Sequence, residues 1–128
     1  MHSDQQPPAR PRDIGERTLE YAVRAIELYR YLRQKRDGAA WVIGRQYLRS
    51  ATSIGANVQE SRAGVSRADF VNKVAIAQKE ARECVYWLQL VERSGLVSHS
   101  LIAPLLSETR EILAILSAII IKTRSSPR

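Results

Sequence analysis

Between Leu48 and Leu90 the alternation of apolar and polar positions reads as two amphipathic helices joined by a tight turn. Ile43, Tyr47, Ala51, Ile54 and Val58 recur at steps of three and four, which places them on one helical stripe. The run SATSIGA over 50–56 is poor in helix propensity, and Gly55 alone costs about 1 kcal/mol relative to alanine. Close packing against a neighbouring backbone must therefore hold it. This second helix is expected to begin within 39–43 and to end near Arg62, with Gly64 as its stop. Ser66 is placed to cap a third helix over 67–94, with Asp69 at its third position. Phe70, Val74, Ala77, Ala81, Cys84, Val85 and Leu88 form the core stripe of that helix.

The flanking segments carry the same period. A first helix is predicted over 13–36, capped by Asp13 and leaving at Asp37-Gly38. Leu19, Ala22, Ile26 and Tyr29 make one stripe on it, and Tyr21, Ala25, Leu28 and Leu32 make another beside it. Together they cover nearly half the circumference, where a surface helix needs about 100°. A last helix starts within 98–104, after Gly95, and runs to about Lys122. Ile115 and Ile121 add to its core residues and leave its final turns apolar nearly all round. The run ILAILSAIII over 112–121 is too short to cross a bilayer, which takes about 20 apolar residues. Short connections make consecutive helices antiparallel. The expected fold is all-α, an antiparallel up-down-up-down four-helix bundle over 13–124, between a disordered arm at 1–12 and a tail at 125–128.

Apolar positions outside those stripes predict self-association. Trp87 and Leu90 lie off the core stripe of the third helix, and with Ile115 and Ile121 they are the expected interface of a homo-oligomer. Trp87 needs cover either from the broad first helix or from another subunit.

Charge adds a second expectation. The chain carries 20 Lys and Arg against 13 Asp and Glu, a formal net charge of +7, and the middle of the sequence is nearly neutral. In an antiparallel bundle Arg10, Arg12, Arg17, Arg62, Arg67, Lys122 and Arg124 gather at one pole and are the first nucleic-acid-binding candidates. The opposite pole collects Arg30, Arg33, Lys35, Arg36, Arg45 and Arg93. Lys79, Arg82 and Arg93 with Tyr86 make a second basic face that could track phosphates and stack a base. Local explanations compete with these, and compensation of the helix macrodipole is the first explanation for Arg30, Arg33, Lys35 and Arg36 in the last turn of the first helix. Lys79 can pair with Glu83. Glu60, misplaced at a helix C-terminus, calls for a cation such as Arg49, Arg62 or Arg67. Asn57 calls for a hydrogen bond to a neighbouring helix or turn.

Catalytic patterns are missing. His2 falls in the arm and His99 in a turn, neither with ligands at metal spacing. Cys84 is the single cysteine, sits on a core stripe and fits a reducing cytoplasm. Glu80 and Glu83 lack the Glu-x-x-His partners of a carboxylate-bridged metal site. A protein without enzymatic activity, cofactor or metal, and without membrane attachment, is expected.

The segments SATSIGANVQE, SRADF and IAQKEARECVYWL resemble the central motif of small bacterial four-helix-bundle proteins encoded in intervening sequences of large-subunit ribosomal RNA genes. The likeness runs from about Ile14 to Ile121. It implies the bundle fold and no established enzymatic activity. A related branch, the accessory proteins of diversity-generating retroelements, forms pentameric rings that bind nucleic acid and a reverse transcriptase. The resemblance thus implies a pentamer that binds RNA or DNA, with a reverse transcriptase or other protein as a further partner. The alternative is a protein-interaction scaffold or accessory subunit with no direct nucleic-acid role.

Overall fold

The computed structural model describes residues 13–63 and 66–127. The expectations for the arm, including His2, Arg10 and Arg12, and for Gly64 lie outside the described residues. Four helices follow one another: α1 (Ile14–Arg33), α2 (Gly38–Arg62), α3 (Arg67–Arg93) and α4 (His99–Ser125). Each packs on its sequence neighbour, and α1 closes on α4. The result is the antiparallel up-down-up-down bundle.

The helix ends follow from local chemistry with two corrections. Ser66 Oγ accepts from the Asp69 N–H at 3.1 Å, and Gly95 leaves α3 in the left-handed region at φ 78°. Asp37, read from the sequence as the exit of α1, instead caps α2 by accepting from the N–H groups of Ala39 and Ala40 at 2.9 and 3.4 Å. Asp13 stands at the N-cap of α1 but makes no capping bond, because its carboxylate is paired with Arg62 at the end of α2.

Tyr21, Ala25 and Leu32 of α1, Tyr47, Ala51 and Ile54 of α2, Ala77, Ala81, Cys84 and Leu88 of α3, and Ile102, Ile112 and Leu116 of α4 make the buried centre. The small-residue run brings α1 and α2 together. A Cβ added at Gly55 would sit 3.4 Å from the Thr18 carbonyl oxygen, so the two helices approach closely there. Polar groups inside the core are chained together: Tyr47 donates to Tyr21 (2.9 Å), Tyr21 meets Thr109 Oγ1 (2.6 Å), and Thr109 donates to the Leu105 carbonyl (2.7 Å). Three helices thereby share one hydroxyl path, and among the described residues no phenol is left buried without a partner.

The α1–α4 seam is offset. Arg17, in the first turn of α1, reaches Glu108 and Glu111 in the middle of α4. The last turns of α4 therefore run past the start of α1 and rest on α3, where Arg67 donates to the carbonyls of Ser126 and Pro127 at 2.8 and 3.0 Å. That offset leaves Ile121 69% exposed.

Candidate nucleic-acid interface

Of the first group of candidate cations, the bundle already engages several. Arg17 forks onto Glu108 through Nε and Nη2 at 2.9 and 2.8 Å and reaches Glu111 at 2.9 Å. These hydrogen bonds raise its pKa above the ordinary arginine value, and its side chain is mostly covered. Arg62 is paired with Asp13, whose carboxyl that bond pulls below its usual range. Arg67 holds the end of α4. Lys122 and Arg124 remain exposed, beside a shallow groove lined by Arg67, Ala68, Val71, Arg124 and Ser126.

The second face is an exposed stripe on α3. Lys79, Arg82, Tyr86 and Arg93 all face solvent over roughly 21 Å of helix. Lys79 does not pair with Glu83, because Arg49 of α2 takes that carboxylate at 2.7 Å and Glu80 at 3.1 Å. Ser50 Oγ donates to Glu83 as well, at 3.1 Å. Burial works against the charge on Glu83, but the bonds from Ser50 and Arg49 outweigh it and hold the carboxyl below its usual range. Glu60 is exposed, and Arg49, Arg62 and Arg67 are engaged elsewhere, so the expected cation partner is not among them. Asn57 likewise finds its partner within α2, donating to Ser53 O and Oγ at 2.9 and 3.1 Å.

The third group sits at the α1–α2 turn. Arg30, Arg33, Arg36 and Arg45 are exposed and Lys35 is half-exposed. Among the described residues no carboxylate lies at ion-pair distance from any of them. Two aromatic rings stand among these cations. Trp41, in the first turn of α2, is 39% exposed, donates its Nε1–H to the Lys35 carbonyl at 2.8 Å, and has the Arg33 guanidinium 4.9 Å from its ring centre. Tyr31 is 42% exposed, with Lys35 Nζ 5.0 Å from its ring centre. Neither ring was singled out by periodicity. The available signal was a tryptophan inside a basic run, next to a helix-capping Asp.

The apolar surface also differs in place from expectation. Trp87, Leu90 and Ile115 are half-buried within the protomer. Trp87 packs on the core and edge-on to Tyr86 at 5.0 Å, with its indole N–H buried and unpartnered among the described residues. Leu19 and Val23, one turn apart on α1, are 57% and 51% exposed. Leu19 borders a groove of about 210 Å³ between α1 and α2 lined by Ala22, Thr52, Gly55 and Ala56. A second groove, about 260 Å³, opens between α1 and α4 beside Leu28, Tyr31 and Leu101.

Within the core, burial pushes the Cys84 thiol up to about 12. Among the described residues no cluster of His, Cys, Asp or Glu could hold a metal ion, and no helix is long and apolar enough to cross a membrane.

A small, basic, all-α bundle whose surface chemistry is cations and exposed rings is the class that fold and surface define. The family model for 23S rRNA-intervening sequence proteins matches residues 12–118, and the chain belongs to that family. A solved structure from Bacteroides thetaiotaomicron, described as a protein with unknown function from the S23 ribosomal protein family, is 39% identical with a TM-score of 0.80. The match covers 84% of this chain and 98% of that one. A comparison with curated proteins gave no match.

Proposed function

We propose that the protein is a non-enzymatic, cytoplasmic homo-oligomer that binds RNA or DNA through phosphate contacts with little sequence preference. The observation that carries this reading is the set of cations at the α1–α2 turn that have no carboxylate partner among the described residues: Arg30, Arg33, Lys35, Arg36 and Arg45. Cations without carboxylate partners are free to replace the counterions of a phosphate backbone. Lys122 and Arg124 at the opposite pole, and Lys79, Arg82 and Arg93 on α3, extend the surface a long strand can follow.

A pentameric ring is the preferred assembly, supported by the resemblance to ring-forming relatives and by the apolar Leu19–Val23 face. A ring repeats each pole around an axis, so contacts that are weak singly add to useful affinity. A mobility-shift assay with unrelated RNA and DNA sequences tests the reading. Similar affinities that fall with salt are expected, with a log–log slope of about −0.9 per phosphate contacted on duplex DNA. Replacing Arg30, Arg33 and Arg36 by Gln should flatten that slope. No binding at low ionic strength overturns it.

The groove between α1 and α4 favours a second reading, a scaffold or accessory subunit for a protein such as a reverse transcriptase. Leu101 and Tyr31 on its rim are the side chains a partner would cover. A partner retained after nuclease treatment, and lost on Leu101→Glu, would support it.

A further inference from the structure

We propose that the α1–α2 turn is a site for unpaired nucleotides, with Trp41 and Tyr31 each stacking one base of a single strand. This rests on the nucleic-acid reading above and narrows it from phosphate binding in general to single strands.

Both rings are more than a third exposed, although aromatic surface of that size gains most by burial. Each already has a cation about 5 Å from its ring centre: Arg33 at Trp41 and Lys35 at Tyr31. A nucleotide presents the same pairing in complement, a flat base beside a phosphate. Trp41 is also fixed before any ligand arrives, because its N–H is held by the Lys35 carbonyl on the turn and Arg33 covers its ring. A base that stacks there does not have to order a loose side chain, so little of the contact is lost to entropy.

Duplexes cannot use this arrangement. Their base faces are stacked inside the helix, and they offer a surface only phosphates, sugars and base edges. An unpaired strand offers base faces in succession, which aromatic platforms among cations accept whatever the sequence. The α3 stripe is the poorer platform. Tyr86 there already engages the Trp87 ring, and no cation lies over its face among the described residues.

Fluorescence anisotropy with labelled oligothymidylate, oligouridylate and a mixed-sequence duplex, over a range of salt, tests the proposal on the full chain. Both single strands should bind tighter than the duplex. Trp41→Leu should weaken them by about 5- to 150-fold, the span of one base–aromatic stack, without changing the salt slope or the duplex affinity. Trp41→Phe should keep most of the affinity. Tyr31→Leu, away from the indole's bond to the turn, should repeat the loss even if Trp41→Leu unfolds. Equal binding of strand and duplex, with aromatic variants that change neither, would overturn the stacking site while leaving the phosphate contacts standing. Failure of all three ligands to bind at low salt would remove both.

Discussion

Tyr47 donates its phenolic hydrogen to Tyr21 at 2.9 Å in the centre of the bundle, and Tyr21 passes the path on to Thr109. With Thr109 donating to the Leu105 carbonyl, the direction of every bond is set. Tyr21 is thus both acceptor and donor, while Tyr47 is the terminal donor. Burial raises the pKa of both phenols above the usual range, so neither ionises in the folded protein at neutral pH. Tyr21→Phe leaves the Tyr47 hydroxyl buried without its acceptor, a cost of about 1–3 kcal/mol, whereas Tyr47→Phe removes one bond and costs about 0.5–1.5 kcal/mol. Urea denaturation should rank them in that order. The reverse order would mean that the hydrogens run the other way.

Arg49 joins α2 to α3 through Glu80, which is buried, and Glu83. Arg49→Met should destabilise the protein at pH 7 by about 1–2 kcal/mol, a value kept low because half of the arginine side chain faces water. The sign of its pH dependence follows from Glu83. Its folded pKa lies below the unfolded value of about 4.3, so the unfolded chain binds more protons in that window. The contribution is present above that value and is lost as pH falls through the folded pKa. Unfolding curves should show the gap between wild type and Arg49→Met closing as pH falls below the ordinary carboxylate range. A gap that stays constant would separate the arginine from the carboxylate's titration.

Cys84 is fully buried, and burial pushes its thiol up to about 12. Thiolate is the reacting species. Ellman's reagent at about pH 8 should therefore label the native protein only as fast as it unfolds, and label it at once in denaturant. Rapid labelling of the native state would contradict the packing around α3.

Leu19 and Val23 are the apolar pair that the bundle leaves uncovered on α1. Replacing both by Glu should convert an assembled wild type to single-chain mass in sedimentation velocity, with helicity retained. Ile121→Glu, on the overhang of α4, should have the smaller effect. A wild type that sediments as one chain at micromolar concentration removes the oligomer from the proposed function.

Sequence pattern located the helices because their determinants are local. The stripe through Ile54 and Val58, the cap at Ser66 and the stop at Gly95 each depend on residues within a few positions. Asp37-Gly38 misled because an Asp that opens one helix and a Gly that closes another look alike without coordinates. Asp13 holds the N-cap position as expected but without a side-chain cap bond, and its carboxylate is paired with Arg62, 49 residues distant. The register between helices was equally hidden, so the choice of Arg49 over Lys79 as the partner of Glu83 was not legible. The cations of the candidate site were legible as a cluster at one pole, but its rings were not, because a lone Trp41 has no periodic companion. That Arg17, Arg62 and Arg67 at the other pole are engaged is decided by partners distant in sequence.

The seam between α1 and α4 is the narrowest in the bundle and the only one joining the two ends of the described chain. Most of the remaining backbone packing links consecutive helices, which gives the protein a low contact order, and such chains fold in microseconds to milliseconds. The docking of the first helix onto the last, the least extensive seam, is therefore expected to be the final step of folding and the earliest to reverse. Hydrogen exchange should find the least protected core amides along the Tyr21 and Thr109 turns.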